Sequence, residues 1–339
     1  MLHHFKRHGS AANWGTTLLS SLIPFVMIGG LLYAGLFVKA DAVVRKVDAP
    51  AIERRDHYIS IVSPAPNIVW AAGTGGKVVR SDDGGKSWIS QATNTQNNLL
   101  GIAAWDGEQA VAVGNQGTII FTADGGKSWV EAKTPDSANP NKLFRVHIFD
   151  GVAWAVGEFG ALLRSADHGR TWSRALPEKD RAWNDIFFLG QQGWLVGEFG
   201  TLMQSADGGA NWSEVPTPNK VSLMSVAFRD AQHGVAVGLS GTVMVSDDGG
   251  NTWTAVPKVT RESLYKVIWD QERWLAVGDK GVMVSSPAAA NAWKAARISD
   301  EDVSWRTEIL KSESGYYLAG ANLGLLENDK LTIVGQAGE

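Results

Sequence analysis

Apolar and polar positions along the chain repeat one pattern: an apolar stretch, a Gly-x-x-Gly step, a second apolar stretch, and a polar turn closed by tryptophan. Residues 238–253 carry it in full, from Gly238 and Gly241 through Thr242-Val-Met-Val-Ser246 to Asp248, Gly250, Thr252 and Trp253. The closing tryptophan recurs at Trp88, Trp129, Trp172, Trp212, Trp253 and Trp293. The paired glycines recur at Gly73/Gly76, Gly114/Gly117, Gly157/Gly160, Gly197/Gly200, Gly238/Gly241 and Gly278/Gly281, with a looser pair at Gly320/Gly324. A period of about 40 residues is that of a solenoid or a propeller. Runs such as Ala110-Val-Ala-Val-Gly114 and Gly117-Thr-Ile-Ile-Phe121 predict a strand, a two-residue turn in which glycine supplies positive φ, and another strand. Middle strands are apolar on both faces, as strands packed between two neighbouring sheets should be.

The units fall at 57–93, 97–134, 142–176, 182–215, 222–256, 263–296 and 303–336. The expected fold is all-β: a seven-bladed β-propeller of four-stranded blades over 57–339, preceded by one N-terminal transmembrane helix. The sixth unit keeps Trp293 but replaces the polar turn by Ser286-Pro-Ala-Ala-Ala, and the seventh has lost both. Terminal repeats are often atypical. The pattern leaves open whether the ring closes by seven complete units or by a linker strand added to the last.

Before the repeats, residues 1–17 are polar, 18–38 carry no charge, and 39–56 read as a charged linker containing Pro50. The uncharged run is long enough to span about 30 Å of hydrocarbon at about 1.5 Å per residue. It also exceeds the roughly 7–15 apolar residues of a signal peptide. An uncleaved anchor is therefore expected, although Ala40-Asp41-Ala42 resembles a cleavage site. Gly30 and Ala34 form a small-xxx-small pair where a second helix can approach, a pair that chance also produces in a glycine-rich span. Lys6 and Arg7 precede the run, whereas Lys39, Arg45, Lys46, Arg54 and Arg55 follow it. The positive-inside rule alone would leave the repeats in the cytoplasm.

Composition narrows the function. The net charge of −4 is small and the basic residues are scattered, so no nucleic-acid footprint exists. Without cysteine there is no disulfide frame, no thiolate-ligated metal and no lipid-bearing Cys.

The turn Ser165, Asp167, Gly169, Thr171, Trp172 resembles the Asp-box of sialidase-type and sortilin-type propellers. With Gly-x-x-Gly in every copy, residues 57–336 more closely resemble the seven-bladed photosystem II stability/assembly factor family and its relatives in non-photosynthetic bacteria. That resemblance implies a non-enzymatic accessory or assembly subunit of an integral membrane complex. It also implies a propeller on the lumenal or periplasmic side of the inner membrane, against the charge count. The partner it suggests is a photosystem in a phototroph, and otherwise an envelope transporter, of which the resistance-nodulation-division type is one. The alternative is a carbohydrate-binding or sialidase-like, glycan-active propeller.

One Asp per turn lacks the convergent oxygens a hard cation needs, so the Asp-box residues are expected to be structural. A sialidase site would want an Arg-Ile-Pro segment, which is absent, and a Tyr beside a Glu, which none of Tyr58, Tyr265, Tyr316 and Tyr317 has. Glu158 and Glu198 are the carboxylate pair to test for glycoside hydrolysis. No catalytic residue, cofactor, metal or small-molecule substrate is expected. The central residues of the glycine steps are Thr74-Gly75, Asn115-Gln116, Glu158-Phe159, Glu198-Phe199, Leu239-Ser240 and Asp279-Lys280. Phe159 and Phe199 on adjacent units are misplaced in tight turns unless a partner covers them or they fold back over their own hairpins. Topology puts Arg145, Asp185 and Lys266, near the start of strand one, on the same face. Glu158, Phe159, Glu198, Phe199, Arg145, Asp185 and Lys266 are thus the expected partner surface.

Overall fold

The computed structural model describes residues 14–37, 50–137 and 141–335. The chain divides into two compact units, Met1–Ala49 and Pro50–Glu339. Within the first, a helix α1 spans Trp14–Phe37, with Pro24 inside it and no charge in its first or last turn. Its described side chains, 22–36, are exposed, Phe25 at 72% and Leu31 at 74% among them. Among the described residues no helix is long and apolar enough to cross a membrane. The run expected to be a transmembrane helix is thus helical over Trp14–Phe37. Nothing lies within 4 Å of where a Cβ on Gly30 would stand, so the Gly30/Ala34 pair has no packing partner among the described residues. Residues 1–13 of the expected polar segment 1–17, residue 38 of the expected helix and residues 39–49 of the expected linker 39–56 lie outside the described residues.

The second unit is an all-β propeller. Its innermost strands are Tyr58–Ala65, Leu99–Ala104, Leu143–Phe149, Trp183–Leu189, Leu223–Phe228, Leu264–Trp269 and Arg306–Lys311. Each neighbours the next, and the last neighbours the first. Each opens a meander of four antiparallel strands, and five of the meanders stand as separate sheets. The first and last are joined into one eight-stranded sheet through the single pairing Tyr58↔Gly320. The ring therefore closes by complete units. Thr307 Oγ1 donates to Ile59 O at 2.7 Å and Tyr317 Oη to Gly84 O at 2.8 Å across that seam. Strand-two residues such as Ala110–Val113 and Leu195–Val196 are wholly buried, and the apolar clusters lie between successive sheets.

The glycine step is not the two-residue turn expected. It is one turn of 3-10 helix whose second central residue is left-handed, from Gly75 (φ 66) to Gln116 (56), Phe159 (53), Phe199 (55), Ser240 (54) and Lys280 (51). The first glycine of each pair is extended, and crowding explains it. A Cβ on Gly73 would stand 1.9 Å from His57 O, and one on Gly157 2.0 Å from Lys142 O, the backbone leading into strand one. The glycines thus bring the turn and the start of the innermost strand onto one face.

Candidate functional site

Each innermost strand carries a register break near its start. The position beyond it is Ser60, Gly101, Arg145, Asp185, Ser225, Lys266 and Glu308 in successive units, opposite Ala72, Val113, Val156, Val196, Val237, Val277 and Ala319. A bulge bends the strand and re-aims one side chain. Here the re-aimed side chains meet one another across the ring. Arg145 pairs with Glu308 and donates to Thr307 O at 2.8 Å and Tyr265 O at 3.2 Å. Lys266 lies 3.3 Å from Glu308 and 3.7 Å from Asp185. Asp185 also accepts from Ser225 Oγ at 2.6 Å and meets His147 Nε2 at 2.7 Å. Burial, the largest influence on the Asp185 carboxyl, would raise it, but Lys266, His147 and Arg145 together hold it far below the usual carboxylate range.

The structure brings Arg145, Asp185 and Lys266 together, but not on an open surface. They are 8%, 1% and 8% exposed. A buried ion network satisfied by its own members braces five units across the axis and presents little to a partner. Glu308, His147 and Ser225 escaped the sequence reading. Aligning the repeats on the residue two beyond the first buried apolar of each strand, Tyr58, Leu99 or Leu143, would have found Ser225, whereas in the last unit Arg306 holds the apolar place and hides Glu308.

On the turn face, both glutamates brace their own unit. Glu158 Oε2 accepts from Lys142 N and Glu198 Oε2 from Ala182 N, each at 2.9 Å. Each carboxylate thus holds the backbone that enters its own unit. The phenylalanines differ from them. Phe159 is 37% exposed and Phe199 68%. Neither folds back over its hairpin to burial, and both occupy the left-handed region, which bulky residues rarely adopt. The first unit meets the same turn with Gly75.

The Asp-box carboxylates are saturated by their own turns. Asp167 accepts from Thr171 N at 2.9 Å, Thr171 Oγ1 at 2.6 Å and Ser165 Oγ at 2.8 Å. Trp172 Nε1 donates to Gly169 O at 2.9 Å, which ties the ring to the turn. The same bonds form around Asp83, Asp207 and Asp248. The Asp124 box has the carboxylate bonds, but its Trp129 indole nitrogen finds no partner among the described residues. Hydrogen bonds from the residue four ahead lower Asp83, Asp124 and Asp207 to about 2, and Asp167 reaches about 2 because the bonds from Thr171 and Ser165 outweigh its burial. Folded values below unfolded ones stabilise the native state above the unfolded pKa of about 3.9, and that contribution is lost as pH falls toward the folded value. The melting temperature is expected to be flat through neutral pH and to fall between about pH 4 and pH 2, with Asp167→Asn flattening that fall. An acid limb equally steep in Asp167→Asn would remove the box from the acid response.

A family model described as photosynthesis system II assembly factor YCF48 matches residues 87–181, 154–222 and 212–302. Among solved structures, YCF48 bound to a D1 peptide is 16% identical, with a TM-score of 0.65 over 78% of this chain and 89% of that one. YCF48 from Cyanidioschyzon merolae is 15% identical, with a TM-score of 0.65 over 80% and 95%. The WD40 propeller domain of Doa1 is 12% identical, with a TM-score of 0.63 over 84% and 95%. At these identities the structural likeness shows the fold. No curated protein sequence matches.

Proposed function

The chain belongs to the photosystem II assembly factor YCF48 family, and we propose that it is a non-enzymatic assembly or accessory subunit that docks a protein partner through the turn face of its propeller. The observation that carries this reading is the pair of exposed phenylalanines, Phe159 and Phe199, held left-handed on adjacent units. Left-handed backbone costs an L-residue roughly 1–2 kcal/mol, and an exposed aromatic returns little of that to the fold. Function accounts for what stability does not. A YCF48 has been solved with a D1 peptide bound, and a protein partner here extends that precedent. Glu158 and Glu198 hold the turns, and the Arg145, Asp185 and Lys266 network keeps the ring rigid beneath them.

The partner we propose is an integral membrane protein or complex. The support is α1, an uncharged helix of 24 residues whose described side chains are apolar or small and exposed. In this reading α1 anchors the chain in the inner membrane and the propeller stands in the periplasm. The resistance-nodulation-division transporter stays an expectation from resemblance alone. A photo-crosslinking residue at Phe199 is expected to capture one discrete membrane protein, whereas the same residue at Leu189, at the other end of the innermost strand, captures none. Equal capture at both positions, or activity of a cytoplasm-active reporter fused after Glu339, would overturn the docking face and the location respectively.

A further inference from the structure

On the turn face, each seam between units is framed by the three residues that lead into strand one and the two central residues of the glycine step. In the second unit all five positions are amides: Gln96, Asn97, Asn98, Asn115 and Gln116. The fourth unit has Asp180, Arg181, Glu198 and Phe199 there, and the sixth has Arg261, Glu262, Asp279 and Lys280. The five amides surround an open crevice of about 300 Å³ whose remaining walls are Lys142 and Glu158. Those two are 3.6 Å apart and cancel in charge.

Two of the amides fix the scaffold. Asn98 Oδ1 accepts from Gly75 N at 2.8 Å, and Asn97 Nδ2 donates to Thr118 Oγ1 at 2.8 Å. The side chains of Gln96, Asn115 and Gln116 make no hydrogen bond among the described residues, and with Gln96 and Gln116 exposed and Asn115 half-buried their donors and acceptors at this charge-neutral crevice are open to a ligand. A side-chain amide presents a donor and an acceptor in one plane, a match for a pair of neighbouring hydroxyls. A lining without net charge selects against ions.

We propose that this crevice binds an uncharged saccharide, one pyranose ring of a glycan held by Gln96, Asn115 and Gln116. An extended peptide would use the same donors and acceptors, but it needs a linear track with pockets for alternate side chains. Here the amides come from two loops onto a compact site, and among the described residues no apolar side chain lines it. The proposal stands apart from the docking reading, since none of the three amides belongs to the phenylalanine pair.

The test uses the full-length chain in a detergent without a sugar head group. Saturation-transfer NMR with neutral mono- and disaccharides is expected to label ring protons of at least one of them, with binding insensitive to salt. Gln96→Ala combined with Asn115→Ala should weaken it by about tenfold or more with an unchanged melting temperature. No transfer from any neutral saccharide, or equal binding by the double variant, would overturn the proposal. So would an unstructured peptide that shifts the Asn and Gln side-chain amide resonances where sugars do not.

Discussion

Arg145→Met is expected to destabilise the propeller by about 3–5 kcal/mol, the cost of breaking a buried ion pair by removing one partner. The guanidinium leaves the third unit to reach Glu308 and Thr307 O in the seventh and Tyr265 O in the sixth. Without it two carbonyls lose a charged donor, and Glu308, 6% exposed, keeps only Lys266 at 3.3 Å as a charge partner among the described residues. Arg145→Met combined with Glu308→Leu should recover much of the loss, because the orphaned carboxylate goes as well and apolar groups of similar volume replace a pair whose desolvation was costly. Urea denaturation of the wild type, both single variants and the double variant measures the coupling. A single-variant loss below about 1 kcal/mol, or strict additivity, would mean that solvent screens the network as it screens a surface pair.

The repeat was legible because its causes are local. Gly73 and Gly157 are demanded by backbone carbonyls about 2 Å from where a Cβ would stand, and Trp172 by the turn carbonyl that its indole meets. Such requirements recur wherever the unit recurs, so count, phase and strand order could be read directly. The last unit, which lost both turn and tryptophan, still forms all its strands, since Leu318 and Ala319 are buried as their counterparts are. The site was less legible because its causes cross between units. Arg145 looks like a surface charge until Glu308, 163 residues away, is seen to face it. His147 shares its strand with Arg145 but contributes only because Asp185 of the next unit turns toward it. Glu158 and Glu198, adjacent in sequence to the exposed phenylalanines, looked like parts of one surface. Each in fact holds the backbone that enters its own unit.

Replacing Phe159 and Phe199 together by serine is expected to abolish co-purification of the membrane partner while the isolated chain melts as before. Serine suits the control because the fifth unit already uses it, Ser240 holding the same left-handed position at φ 54. Stability should therefore change little, since the rings give up mostly exposed area, Phe199 at 68% above all. Binding should change much. Truncating a buried interface aromatic costs about 2 kcal/mol or more, so the pair should weaken association several-hundred-fold if the two effects add. Arg145 and Lys266 lie beneath this surface in mutual pairing, and charge substitutions there should act through stability and leave the salt dependence of association alone. Full recovery of the same partner by the double variant would leave the strain at Phe159 and Phe199 unexplained by docking. Full recovery with a raised melting temperature would mark the two phenylalanines as tolerated turn residues and move the search for the partner surface to the Asp-box face.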